Sequence, residues 1–419
     1  MTYAEPTPAG QAPRGVPARV PHLPALDGLR GVAILGVLLF HTGRLPGGFL
    51  GVDLFFALSG YLITDLLLRE AAATGSVSLA AFWGRRIRRL FPALAAMLAC
   101  VALLVRAVAP PDTVRTMLSD GPWVQANLVN WHLLAESAGY WDRFGAERVF
   151  GHLWSIAVEE QFYLVWPLVV VAVACVGRGG LREGRRVGGA GGADGGVAVA
   201  AAFASAVSLV LMVSLVNEAD PSRVYTGTDT RAFSLLLGAL AATRPVRAVL
   251  ERTGRWAGTA AAALAVGIAV LWLLADGTDS LWLFTGGLFA HSLASALLIG
   301  LCAQAPCSLV ARALSWRPLR WLGLISYSLY LWHWPVIVLL TPERTGLDGW
   351  AWTASVAAVS IALAALSTYL VENPIRFRAA WARGRRGAVA FGAAMAALAV
   401  LWVALPAPPT AAVDVTLLE

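Results

Sequence analysis

The chain has 419 residues, 58% hydrophobic and only 14% charged, with a mean hydropathy of +0.68. One soluble core cannot hide that much apolar surface, so an ordinary cytosolic enzyme is excluded. The 32 basic residues are all arginine, and the net charge of +7 sits in clusters between long apolar runs, where orienting helices in a bilayer accounts for it and nucleic acid is not implied.

Residues 1–25 are rich in Pro and Ala, hold Arg14 and Arg19 and lack a long apolar stretch. They read as a disordered cytoplasmic tail rather than a cleaved signal peptide. Apolar runs of about the 20 residues that a bilayer requires then recur near 27–43, 48–68, 90–108, 153–176, 198–216, 230–243, 256–275, 283–303, 320–340, 350–371 and 388–405, the 230–243 run being short. The stretch 113–134 is apolar too, but contains Asp120, Gln125, Asn127, Asn130 and His132. Were it to cross, the arginine-rich loops around 182, 250 and 315 would fall outside, against the positive-inside bias. The expectation is therefore an all-α, polytopic integral membrane protein with eleven spanning helices, a cytoplasmic N-terminus and an external C-terminus. Region 109–150 would be external, with a surface or re-entrant helix. The half-glycine stretch 177–196 reads as a flexible cytoplasmic loop with no packing role. Cys100, Cys175, Cys302 and Cys307 have neither zinc spacing nor a disulfide pattern and read as small buried hydrophobes.

An ionisable side chain at bilayer depth costs about 2.5–3.5 kcal/mol on insertion scales, so each should be paired or line a wet cavity. Arg30 and His41 lie eleven residues apart, which returns them to nearly one helix face with a rise of about 16 Å. His41 suits a general base near neutral pH, although a lone histidine can equally be a satisfied structural residue. Asp53, at comparable depth, either orients His41 or pairs with an outer arginine. The fourth run carries His152, Ser155, Glu159, Glu160 and Gln161, and adjacent glutamates cannot point the same way on a helix. Asp229 and Arg231 begin the sixth run and suggest a structural ion pair. Tyr327, Tyr330 and His333 lie in the ninth, where aromatic anchoring explains the tyrosines as well as sugar contact does, and Pro335 should bend or loosen the helix. On the opposite side, Arg85 with Arg88 and Arg86 with Arg89 form two interleaved pairs. They read either as lipid-headgroup contacts or as a bidentate phosphate grip assisted by Arg30. No Gly-rich phosphate loop supports nucleotide hydrolysis.

The polar groups thus divide into a cytoplasmic arginine cluster and an outer-half cluster, separated by about the 16 Å rise from Arg30 to His41. A phosphopantetheine arm bridges such a distance. In this order, LDGLRGVAILGVLLFHTG, GGFLGVDLFFALSGYLIT, RRIRRLFPAL, HLWSIAVEEQFYLVWP, TDTRAF, ISYSLYLWHWPV and VENPIR closely resemble the bacterial membrane acyltransferase family 3, over residues 26–378. Members O-acylate cell-surface polysaccharides, peptidoglycan or macrolides. The family's Arg-x10-His motif falls on Arg30 and His41, its Arg-x-x-Arg motif on Arg85 to Arg89, and its glutamate motif on Glu159 and Glu160. The resemblance implies a ten-helix acyltransferase core and an acyl-CoA donor, typically acetyl-CoA.

Two departures stand out. After a cytoplasmic linker at 379–387, the run 388–405 is an eleventh helix, followed by an external tail at 406–419. In relatives with such a helix an external SGNH-type domain commonly follows, so the chain either acts alone, is truncated, or works with a separate SGNH partner. VENPIR also places Asn373 where many relatives carry a basic residue, which leaves the role of Glu372 and Arg376 open.

The expected function is a multi-pass enzyme of the bacterial plasma membrane, surrounded by membrane lipids. It would move an acyl group, with acetyl expected, from cytoplasmic acyl-CoA to a hydroxyl of a cell-envelope glycan or a macrolide-like acceptor. Arg30, Arg85, Arg86, Arg88 and Arg89 would bind acyl-CoA. His41 would act as base or acyl carrier, with Asp53, Glu159 and Glu160 in the catalytic group. Ser155, Tyr330, His333, Asp229 and Arg231 would support the acceptor side. Neither a metal nor a permanently bound cofactor is expected. The rival is a transporter or flippase for a glycan or lipid, which needs no CoA.

Overall fold

A computed structural model describes residues 23–137, 148–179, 191–217, 220–277 and 280–409, and among these every regular element is helical. In chain order these are α1 (Pro24–His41), α2 (Gly51–Thr74), α3 (Leu79–Val108), α4 (Pro111–Gln125), α5 (Val129–Ala135), α6 (Trp154–Gly179), α7 (Gly191–Leu215), α8 (Ser222–Thr226) and α9 (Thr228–Ala241). They continue with α10 (Arg244–Glu251), α11 (Ala257–Leu274), α12 (Gly287–Gln304), α13 (Leu309–Leu314), α14 (Arg317–Leu339), α15 (Pro342–Thr345), α16 (Gly349–Leu366) and α17 (Gly384–Ala404). Ten helical segments among the described residues are long and apolar enough to cross a membrane. The protein is a polytopic membrane protein.

The short sixth run is where expectation and structure part. α9 has 14 residues and, at 1.5 Å per residue, reaches about 21 Å, less than a bilayer core. The chain then bends by 66° into α10, so an eleventh crossing exists only if this bent pair is counted as one span. α9 can be short because α2, α7 and α12 pack around it.

Two helix contacts position the polar groups, and both depend on glycine. Where α14 approaches α1, a Cβ at Gly323 would lie 1.8 Å from the Asp27 carbonyl oxygen. Where α2 approaches α9, a Cβ at Gly60 would lie 1.8 Å from the Leu235 oxygen and one at Gly238 2.0 Å from the Ala57 oxygen. Helices in lipid associate through such small-residue seams, since burial from water contributes little between them.

The 113–134 stretch does not form one long helix. α4 and α5 are separated at Asn127, whose φ of 56° lies in the left-handed region that Asn tolerates, and neither helix has spanning length and hydropathy. α17 packs on α3 and α4, where Trp402 donates to Gln125 Oε1 at 2.8 Å and Gln125 donates to the Met395 carbonyl at 2.8 Å. α16 continues as π-helix through Ser367–Glu372 and Pro374–Arg378, and Arg376 Nη1 lies 3.4 Å from Glu372 Oε1.

Two expectations need correction. Part of 177–196 packs: α7 starts at Gly191, and buried Asp194 accepts from the Arg244 amide at 2.8 Å, capping α10. Residues 180–190 lie outside the described residues, as do 1–22 and 410–419 of the two tails. Of the cysteines only Cys302 is buried; Cys100, Cys175 and Cys307 are exposed on helix faces or loops. Pro335 lies inside α14, which runs on through it to Leu339, and its missing N–H leaves the Leu331 carbonyl without a helical donor.

Candidate active site

α1, α2, α3, α6 and α14 enclose a cleft with about 570 Å³ of empty space, including the part open to solvent. Arg30, Arg86 and Arg89 supply its cationic end, while Ser155 and Tyr330 also line it, with Phe55, Phe56 and Ile156 as apolar wall. Arg30 Nε and Arg89 Nε are buried and have no hydrogen-bond acceptor among the described residues. Buried donors without acceptors are costly, and an anionic or carbonyl group entering the cleft would satisfy them.

The four arginines of α3 separate by helix geometry. Residues three apart share a face, whereas neighbours are turned by about 100°. Arg86 and Arg89 therefore face the cleft together. Arg85 turns outward to Glu70 at 3.2 Å, and Arg88 does not line the cleft. Of the five arginines expected to bind the donor, Arg30, Arg86 and Arg89 line the cleft, whereas Arg85 and Arg88 do not.

Glu159 also lines the cleft, where its Oε1 accepts from the hydroxyls of Ser59 and Tyr163. The Arg86 guanidinium lies over the Tyr163 ring at 5.3 Å, so Tyr163 links the Glu159 carboxylate to the arginine group. Glu160, turned from Glu159, does not line the cleft. Ser59 and Tyr163 were missed in the sequence, although Glu159 and Tyr163 stand at the i,i+4 spacing that brings side chains together.

Beyond the cleft lies a pair of histidines. His333 Nδ1 is 2.7 Å from the Tyr330 carbonyl oxygen, and its Nε2 is 3.0 Å from His41 Nδ1. A carbonyl only accepts, so His333 Nδ1 carries the proton. With both rings neutral, His333 Nε2 accepts from His41 Nδ1–H, and the basic lone pair of His41 is then on Nε2. Trp334 packs on His41 with ring centroids 4.8 Å apart. Tyr330 joins cleft to pair: its hydroxyl donates to the His152 carbonyl at 2.9 Å and meets Ser155 Oγ at 2.6 Å, while its ring lies 5.2 Å from that of His333. His41 and His333 themselves do not line the cleft.

The remaining candidates lie elsewhere. Asp53, fully buried, accepts from Arg231 at 2.7 Å, from Ser234 at 2.8 Å and from Ser292 at 3.2 Å. Of the two partners expected for Asp53, it meets the outer arginine, Arg231 of α9, and His333 is the side chain hydrogen-bonded to His41. Asp229 pairs with Arg223, at 3.0 and 2.7 Å, and not with Arg231; residues two apart on a helix face different ways. Near the α4–α5 break, Asp120 and Glu136 both bind Arg148, and the Nε2 of His132 is 3.3 Å from Asp120. The guanidinium is the cation these acceptors surround. Burial, only partly offset by Arg148, pushes the Asp120 carboxyl up to about 7.

A family profile described as an acyltransferase domain matches residues 23–371. The chain belongs to that family. It is 35% identical over 364 residues to the peptidoglycan O-acetyltransferase OatA of Listeria monocytogenes, covering 85% of this chain and 56% of that protein. It is 36% identical over 363 residues to the O-acetyltransferase OatA of Staphylococcus aureus, covering 85% and 57%. Against YrhL of Bacillus subtilis the identity is 36% over 365 residues, covering 85% and 55%. This acyltransferase-family chain therefore spans just over half the length of these relatives. No solved structure matches it significantly.

Proposed function

We propose that this chain is a membrane O-acetyltransferase that takes an acetyl group from cytoplasmic acetyl-CoA and delivers it to a hydroxyl of a cell-envelope glycan, with peptidoglycan as first candidate. The observation that carries the reading is the cleft: three arginines at one end, Ser155 and Tyr330 also in its wall, and the hydrogen-bonded His333 and His41 one helical turn further along α14. The named activities of the Listeria and Staphylococcus relatives support acetyl transfer, and that of the Listeria relative supports the acceptor. The positive-inside bias supports placing the arginine end in the cytoplasm.

In this mechanism Arg30, Arg86 and Arg89 hold the phosphates of the donor, and its arm lies along the apolar wall toward Tyr330. The acceptor hydroxyl oxygen attacks the thioester carbonyl carbon as its proton passes to His41 Nε2. The C–S bond breaks, the new ester leaves with the glycan, and the CoA thiolate recovers the proton from His41. His333 holds His41 in the tautomer this needs, and Glu159 braces the arginine end rather than moving protons. Transfer is direct, without an acyl-enzyme.

The test is transfer of radiolabel from acetyl-CoA in membranes carrying the intact chain, beside His41→Ala at equal expression. Label entering a glycan and vanishing with His41→Ala is expected. Absence of His41-dependent acetyl-CoA consumption, with acceptors and other acyl donors supplied, would overturn the reading in favour of a transporter.

A further inference from the structure

The Asp120–Arg148 cluster lies outside the cleft, yet it leads to the base in three contacts. Arg148 Nη1 binds Asp120 Oδ1 at 2.6 Å, and Nη2 binds Glu136. The carbonyl of the same Arg148 accepts from Trp334 Nε1 at 3.0 Å and from the Gly151 amide at 3.0 Å, in the turn that leads into α6. The Trp334 ring in turn lies 4.8 Å from the His41 imidazole. Asp120 is fully buried, and its Oδ2 has no hydrogen-bond partner among the described residues. A buried, half-satisfied carboxylate is an expensive way merely to fasten a loop.

We propose that Asp120 is a positioning residue for the base: by clamping Arg148 it fixes the carbonyl that holds the Trp334 indole, and thereby sets how the His41 ring is presented. The inference rests on the proposed chemistry at His41. The charged and titratable groups facing Asp120 are Arg148, ahead of α6, His132 of α5, and Glu136 just after α5. α3 and α17 also pack on α4 and place no ion-pair partner on Asp120 among the described residues. Since the carboxyl is raised to about 7, the clamp is charged above that pH and neutral on the Asp120 side below it.

The test uses the full chain in nanodiscs, labelled with 15N-histidine; six histidines make a spectrum sparse enough to identify His41 by its loss in His41→Gln. The His41 ring signals of the wild type are expected to step near pH 7. Asp120→Asn, which imitates the protonated acid, should remove that step. Trp334→Phe, which keeps a ring but loses the N–H, should remove it too, and serves alone if Asp120→Asn does not fold. In the transfer assay at pH 8, kcat should fall by about tenfold in Asp120→Asn with donor KM within about twofold, and the wild-type rate should fall to the variant's below pH 6. The Asp120→Asn/Trp334→Phe double variant should be no slower than the slower single, because both break one chain. His41 signals that track the wild type in Asp120→Asn, or losses that add in full, overturn the proposal. If no His41-dependent transfer occurs while the step appears in the wild type and vanishes in the variants, the proposed function fails and the positioning role stands.

Discussion

His333 and His41 come from opposite ends of the domain sequence and share a 3.0 Å hydrogen bond whose direction is set by a backbone carbonyl, that of Tyr330. In the proposed mechanism the His41 ring is therefore aimed through a second imidazole, where a carboxylate performs that task in nucleophile-activating triads.

The first prediction concerns that bond. His333→Phe keeps an aromatic ring against Tyr330 and Trp334 but removes the acceptor for His41 Nδ1–H. General-base assistance is worth about 10²–10⁴-fold, so kcat should fall by at least about 100-fold while CoA still stabilises the protein thermally. A kcat within about threefold of wild type would show that His41 does not need its neighbour.

The arginine faces give a second test. Arg86→Ala and Arg89→Ala each remove a cleft-lining cation and should raise the donor KM by roughly tenfold or more, as expected when a charged hydrogen bond worth about 1.5–3 kcal/mol is lost. Arg85→Ala and Arg88→Ala should leave it within about twofold, exposed ion pairs such as that of Arg85 contributing about 0–1 kcal/mol. Equal effects from all four would place the donor across both faces of α3.

Much of this was legible before any coordinates. The apolar runs and the ordered motifs marked a polytopic protein of this family, and the Arg30 to His41 spacing singled out two residues of α1, of which Arg30 lines the cleft and His41 lies beyond it. What the sequence hid were relations between helices. Nothing in the spacing of α2 says whether Asp53 meets His41 on α1 or Arg231 on α9; the glycine seam from Gly60 to Gly238 decides it. Likewise, Arg148 and Trp334 are 186 positions apart, and no local pattern could join them. The sixth run was ambiguous because a 14-residue helix surrounded by other helices need not meet the length rule for one facing lipid.

Asp53 supplies a third prediction. It shares a fully buried ion pair with Arg231 and lies away from the cleft lining. Removing one partner of such a pair typically costs about 3–5 kcal/mol, so Asp53→Asn should lower the melting temperature and yield. Its kcat per folded molecule should stay within about threefold of wild type. A well-folded Asp53→Asn that binds CoA but is inactive would instead return Asp53 to the catalytic group.

The last prediction is one of stability against pH. The Asp120 carboxyl, normally near 3.8, is raised to about 7 in the folded chain. Between those values the folded state holds a proton that the unfolded chain has released, so stability must fall as pH rises through that window and level off above about 7. Asp120→Asn carries no such proton. Its melting temperature relative to wild type should therefore climb from pH 5 to pH 7.5 and then stay level, with the variant gaining over wild type throughout that range even as it loses turnover. A difference that does not change with pH would mean that Arg148 fully offsets the burial of the carboxylate, and that its ionised form costs the fold nothing. The expected opposition, relative stability rising and relative turnover falling as pH climbs through about 7 in one substitution, is what distinguishes a charge retained to aim a neighbouring group from one retained to hold a loop in place.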